Sequence, residues 1–288
     1  MAQAIKEDTK LLKPIHANVE EIRETVDAVH DQAEQQKHQE IIDYIAPYDF
    51  SAKHSNILSR RQPGTGQWFL ESPKFKSWVK DKDTILWCQG IPGSGKTTLM
   101  SITVEHLQSL SQHQYDIAVL YAFCDSGQRD IQTAESLLAS LWRQLMRFGT
   151  IHVSESRALE SDYVKPGVMP SVEKLVGMLR SEMAKYSKTF VLLDALDECN
   201  SDIRPALFKA IRLLQPDASL LVTSRMMIDE PLDTRRILFA EILAREEDLH
   251  IYIEERARSN RRLSQIIQRK PSLLEDIKQI VVEKAQGM

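Results

Sequence analysis

An α/β fold built on a central, mostly parallel five-stranded sheet flanked by helices is predicted by three features of this 288-residue sequence. Several short apolar runs are continuous rather than alternating, as strands covered on both faces require. Stretches with apolar residues at helical spacing separate those runs. Glycines, acids and a basic residue follow the carboxyl ends of the runs, which is where open parallel sheets bind ligands. A helical segment precedes the sheet and the start of a small helical domain follows it, with boundaries at residues 1–47, 48–242 and 243–288.

The first strand run, Ile85-Leu86-Trp87-Cys88, feeds Gly90-Ile91-Pro92-Gly93-Ser94-Gly95-Lys96-Thr97, and a helical pattern follows from about Thr97 to Leu110. Strand, glycine-rich turn, Lys-Thr and helix in that order form a P-loop. A turn wrapped round a polyphosphate needs amides pointing inward with no Cβ in the way, which Gly90, Gly93 and Gly95 permit. The helix presents its positive end to the phosphates. Lys96 is suited to the β- and γ-phosphates and the Thr97 hydroxyl to Mg²⁺. Gly90 to Thr98 is therefore the expected nucleotide-binding stretch.

A second run, Ile117 to Cys124, reads as a strand, and Ile131 to Phe148 as a helix stopped at Gly149. Residues 150–170 read as a loop, and Ser171 as the cap of a helix reaching about Tyr186. Thr189 to Leu193 is a third strand, ending in Asp194-Ala195-Leu196-Asp197-Glu198. Asp194 at the sheet edge suits a Mg²⁺ ligand, while Asp197 or Glu198 could orient or deprotonate a water attacking the γ-phosphate. After a helix at Ile203 to Leu214, the fourth strand leads from Ser219 to Arg225. Arg225 can stabilise charge at the γ-phosphate or form a surface ion pair. Arg236 to Ile242 reads as a fifth strand, with helices at Glu246 to Asn260 and Pro271 to Gln286.

Two stretches before the P-loop leave alternatives open. Ile15, Val19, Ile22, Val26, Val29 and Ala33 form a short heptad seam that begins after Pro14 and is interrupted from Gln32 to Glu40. It suits either a partner or self-association helix or a helix packed on the main domain. Pro63, Gly64 and Gly66 mark a turn, and Trp68, Phe69, Phe75, Trp78 and Val79 then follow at helical spacings. These aromatics suit a core, or the Gly64–Trp68 turn closes over a nucleotide base.

Composition narrows the function classes. No apolar run approaches the length that crosses a bilayer, and the N-terminus lacks a signal-peptide core, so the cytoplasm is the default compartment. Cys88, Cys124 and Cys199 lack CxxC spacing and suit buried thiols. Residues 1–47 carry ten acids against five Lys or Arg. The basic set Arg256, Arg258, Arg261 and Arg262 is interleaved with polar residues. Neither part reads as a nucleic-acid footprint, so no nucleic-acid partner is expected. A guanine-reading Asn/Thr-Lys-x-Asp motif is absent, which favours ATP and ADP over guanine nucleotides.

Gly64 to Ser72, Gly90–Thr97, Asp194 to Cys199 and Thr223-Ser224-Arg225 together resemble the NACHT group of STAND P-loop ATPases. More closely, they resemble the nephrocystin-3-like N-terminal module common in fungal NACHT proteins. The resemblance implies that the Thr223–Arg225 strand lies between the P-loop strand and the Asp194 strand. It also implies a switch, closed with ADP and open with ATP, able to oligomerise. A winged helix and C-terminal repeats, usual in such relatives, have no counterpart in residues 243–288. An ATP-hydrolysing signalling switch is thus the leading expectation, with a non-hydrolysing scaffold acting through its N-terminal helix as the alternative.

Overall fold

The computed structural model describes residues 2–111, 116–128, 131–146, 153–226 and 237–285. The helices, in chain order, begin with α1 (Ala2–Ile45), α2 (Ser51–Arg60), α3 (Gln67–Glu71) and α4 (Pro73–Lys80). Strand β1 (Ile85–Gln89) leads into α5 (Lys96–Ser111), and β2 (Ile117–Phe123) into α6 (Ala134–Met146). Helices α7 (Val153–Leu159) and α8 (Val172–Met183) precede β3 (Lys188–Asp194), α9 (Arg204–Leu214) and β4 (Ser219–Ser224). The chain then forms β5 (Ile237–Glu241), α10 (Glu246–Ser259), α11 (Arg261–Arg269) and α12 (Ser272–Ala285).

Two compact units result. The first comprises Met1–Ile45 with Thr150–Val168. Here α1 is one continuous helix, starting before Pro14 and running through the polar stretch from Gln32 to Glu40. Residues 153–164, expected as loop, instead form α7 and a π turn over Glu160–Val164. Lys37 Nζ lies 2.7 Å from Glu160 Oε2, tying that turn to α1 through charge rather than through any apolar period a sequence reading could detect. On α1, Ile22, Val26 and Val29 remain exposed. Ile15 and Val19 lie outside the described side chains.

The second unit comprises Ala46–Gly149 with Met169–Met288 and holds the sheet. Its order is β2-β3-β4-β1-β5, with every pairing parallel. Strand β4 thus lies between β1 and β3, as the family resemblance implied. Parallel strands need long crossovers, and α5, α6 with α8, and α9 lie in those that link β1, β2, β3 and β4. Strands β1 to β4 are buried along nearly their whole length, which accounts for their unbroken apolar runs. Edge strand β5 is largely accessible. Its predicted first residue, Arg236, lies outside the described residues, as do Phe148, Gly149 and Gln286.

The opposite edge, β2, is closed by side chains rather than by a sixth strand. Gln144 of α6 accepts from the Tyr121 N–H at 3.0 Å and donates to the Tyr121 carbonyl at 2.8 Å. Gln132 does the same for the Asp125 N–H and the Phe123 carbonyl. Both glutamines therefore substitute for a neighbouring strand and satisfy backbone groups that would otherwise be exposed for pairing. Beneath the sheet, Trp78 is fully buried with its ring 5.0 Å from Phe190, and Phe69 and Phe75 extend the cluster. Trp68 is the exception among the predicted aromatics and is only half-buried. Among the described residues no helix is long and apolar enough to cross a membrane.

Candidate nucleotide-binding site

All five strands end on one edge, and the chain leaves β1, an inner strand beside β5, to reach β2 at the opposite rim. That reversal opens a crevice beside β1 of the kind in which open α/β sheets take ligands. The loop from Gly90 to Gly95 occupies it. Gly93 and Gly95 have φ of 84° and 90°, left-handed values that side chains disfavour. Gly90 is required for a different reason from the one its motif suggests. A Cβ there would lie 2.4 Å from the Ile242 carbonyl oxygen and 2.6 Å from Ser94 Oγ, so the constraint is the close approach of the chain leaving β5. Gly90→Ala is expected to cost about 1–3 kcal/mol of stability through overpacking, read as a lower denaturant midpoint with an unchanged slope.

Lys96 opens α5, and its Nζ donates to the Gly90 carbonyl and, at 2.9 Å, to the Ile91 carbonyl. Burial lowers its pKa below the usual lysine value, opposed by the Asp197 and Asp194 carboxylates. Ser94 Oγ is buried and has no hydrogen-bond partner among the described residues. An orphaned hydroxyl inside a loop of inward-turned backbone fits a bound oxyanion.

Asp194, the last residue of β3, is 2 % exposed. Thr97 donates to its Oδ2 at 2.7 Å and Thr223 to its Oδ1 at 2.6 Å. Burial pushes the Asp194 carboxyl above the ordinary carboxylate range, and the two hydroxyls pull it back. Thr223 was legible only as the start of the Thr-Ser-Arg motif; the parallel pairing of β3 with β4 is what sets it against Asp194. The Thr223 hydroxyl also accepts from the Ala195 N–H at 2.8 Å. Ala195 has φ 52°, an uncommon value for a residue with a Cβ, and this kink turns Asp197 and Glu198 back toward the P-loop.

Arg225 joins both acids. Its Nη2 donates to Glu198 Oε1 at 2.8 Å, its Nε lies 3.4 Å from Asp197 Oδ2, and its backbone N–H donates to Asp197 Oδ1 at 3.1 Å. Arg225 thus forms the ion pair that one of its two readings expected, and the residue also lines a cavity beside the P-loop. Pro92, Gly93, Lys96, Thr97, Asp197 and Arg225 enclose that space, of about 380 Å³. A second cavity of about 440 Å³ shares Gly93, Gly95, Thr97 and Thr98 with it and continues to Trp68, Asp248 and Tyr252. The sequence reading did not place α10 residues here. Cys88, Cys124 and Cys199 are buried free thiols, as expected.

Comparison with known proteins fits this geometry. The family model described as "Nephrocystin 3, N-terminal" matches residues 64–225, more than half of the chain. The chain belongs to the nephrocystin 3 N-terminal family. The match begins at the Gly64–Trp68 turn and ends at Arg225, so it spans all four motifs. This nephrocystin 3 N-terminal segment is also similar to the vegetative incompatibility protein HET-E-1 of Podospora anserina, 27% identical over 179 residues. That similarity covers 58% of this chain and 13% of HET-E-1, so the chain matches a small part of that relative's length.

Similar solved structures include the Walker-type ATPase PABY2304 of Pyrococcus abyssi, with a TM-score of 0.44 and 14% identity over 69% of this chain and 59% of that one. AMPPCP-bound DnaA from Aquifex aeolicus gives a TM-score of 0.38 and 13% identity over 71% and 54%. These likenesses are too loose to carry an argument, and the assignment stands on family membership and the site itself. The comparisons lend no support to the expectation that nucleic acid is excluded as a partner. The nephrocystin 3 N-terminal family and the P-loop fold together make this a nucleotide-binding, NACHT-like P-loop module.

Proposed function

We propose that the chain is an ATP- and Mg²⁺-binding switch of the NACHT type, with slow ATP hydrolysis and nucleotide-controlled assembly. One observation carries the reading: a single cavity is lined by the P-loop, by Thr97, whose hydroxyl bonds the buried Asp194 behind it, and by the Arg225–Asp197–Glu198 cluster. Residues Gly90 to Thr98 supply amides and the Lys96 ammonium to the phosphates. Thr97 and Asp194 would hold Mg²⁺, which neutralises charge on β- and γ-phosphate oxygens when bound. On this reading residues 1–47 are a partner-binding leader, 48–242 the nucleotide-binding domain and 243–288 the start of a helical domain.

Arg225 stabilises charge at the γ-phosphate, and Asp197 or Glu198 positions the attacking water. Asp197 is held by both the backbone and the side chain of Arg225. Glu198 accepts from the guanidinium at 2.8 Å and from the Ser126 N–H at 3.5 Å, and is the more exposed of the two acids. A half-exposed pair of this kind contributes at most about 1 kcal/mol, so releasing Glu198 costs little. Glu198→Gln is expected to slow phosphate release by about 100-fold or more while nucleotide affinity changes by less than about threefold.

The reading is tested by denaturing the purified protein, identifying the released nucleotide by chromatography, and measuring mass in solution with ADP and with ATP. Adenine nucleotide and a mass that depends on which is present support the switch. A nucleotide-free monomer under both conditions opposes it. A second reading, a scaffold that holds nucleotide without turnover, draws on the exposed Ile22, Val26 and Val29 stripe of α1. Retained nucleotide with no phosphate release over hours would favour that scaffold.

A further inference from the structure

The 440 Å³ cavity is walled on one side by a contact that the nucleotide-binding motifs do not require. Asp248 lies in the first turn of α10, beside Glu246 and Glu247. A carboxylate there ordinarily favours the positive end of its own helix. Asp248 instead reaches across to the Gly64–Trp68 turn. Gly66 N–H donates to its Oδ1 at 3.0 Å and to its Oδ2 at 3.1 Å, and the Trp68 indole N–H donates to Oδ2 at 3.0 Å. The Arg245 guanidinium stacks 4.7 Å from the Trp68 ring centre, so the grip has both a polar and a cation–π part.

The turn has little freedom to form this wall in another way. Gly66 has φ 80°, and a Cβ on it would meet Ile102 Cδ1 at 2.6 Å and Leu99 Cδ2 at 2.9 Å. Leu99 and Ile102 belong to α5, the helix that begins in the P-loop. The turn is therefore pressed against α5 on one side and held by α10 on the other. Thr65, Gly66, Trp68, Leu249 and Tyr252 line the space between, which opens at Gly93 and Thr98 onto the phosphate cavity. Its volume lies in the range of small-molecule sites, and its walls combine apolar surface with a few fixed polar groups.

We propose that Asp248 is a positioning residue that holds the Gly64–Trp68 turn against α10 to form the nucleoside wall of the site. The base and ribose of a nucleotide whose phosphates occupy the P-loop then press on α10, which is how the C-terminal helices register the ligand. This inference rests on the nucleotide reading of the P-loop and adds the part of the ligand that α10 touches. Asp248 affects the nucleoside end alone, because its contacts are to the turn and not to the phosphate loop.

The test compares Mg-ADP with magnesium tripolyphosphate, which has the phosphates and no nucleoside, on the full chain. Asp248→Ala is expected to weaken ADP binding by about 10- to 100-fold, the worth of hydrogen bonds to a charged group, and to leave tripolyphosphate binding within about twofold. Trp68→Phe, which keeps a smaller aromatic ring and loses the indole N–H donor to Asp248, is expected to give a smaller loss of the same kind. Asp248→Asn keeps one acceptor and guards against misfolding of the alanine variant. Wild-type ADP affinity in Asp248→Ala, or an equal loss of both ligands in Asp248→Ala and Asp248→Asn, overturns the clasp alone. Failure of the unmodified chain to bind either ligand overturns the P-loop reading together with this one.

Discussion

Lys96→Ala is expected to abolish ATP and ADP binding while the chain stays folded. In the structure the ammonium, at the start of α5, bonds the loop carbonyls of Gly90 and Ile91. Phosphate oxygens are stronger acceptors than those carbonyls and carry full charge, so the lysine's contacts become charge-assisted on binding. Two such bonds lost at about 1.5–3 kcal/mol each correspond to a drop in affinity of at least about 100-fold. Calorimetric titration with Mg-ATP measures it. Partial burial already lowers the Lys96 pKa, so wild-type affinity is also expected to fall as pH rises through that lowered value and the ammonium deprotonates. Tight binding by Lys96→Ala would remove the phosphate role from this loop.

Asp194→Asn is expected to move stability and ligand binding in opposite directions. The carboxylate is buried, and burial raises its pKa above the unfolded value. For an acid shifted upward, the folded state disfavours the charged form, so stability falls as pH rises between the unfolded and folded pKa values and the penalty stays in place above them. Asparagine removes that penalty. Its Oδ1 can accept from Thr223 and its amide can donate to Thr97, so neither hydroxyl is stranded. A melting temperature at neutral pH raised by about 2 °C or more, equivalent to ~1 kcal/mol for a domain of this size, is the expected result, and the acid-side pH dependence should flatten. Magnesium-dependent strengthening of nucleotide binding should be lost in the same variant. A protein destabilised at neutral pH, with its magnesium response intact, would reverse the assignment. This pairing of lower stability with function is what a buried, hydrogen-bonded acid at a ligand site predicts.

Much of this was legible in one dimension because the underlying physics is local. A strand buried on both faces must be apolar throughout, and a phosphate loop must place glycine where φ is positive. Ile85 to Gly95 therefore announces both its fold and its ligand. Asp194, Asp197 and Glu198 were legible for a related reason, since a strand's last residues lie at the sheet edge whatever surrounds them. The helix at residues 153–159 was not legible, because its short length and the polar turn after it leave no apolar period to detect. The continuity of α1 through Gln32 to Glu40 was hidden in the same way.

The sequence by itself determined the parallel α/β class, the P-loop and the three acids, because each depends on neighbours within a few residues. Tertiary structure alone decided what those residues meet. It set Thr223 beside Asp194 through the register of β3 and β4, and it made Gly90 necessary through the Ile242 carbonyl. It also paired Arg225 with both acids at once, and brought Asp248 to Gly66 and Trp68 across 180 residues of chain. Such contacts depend on strand order and helix placement, which no spacing along the chain encodes.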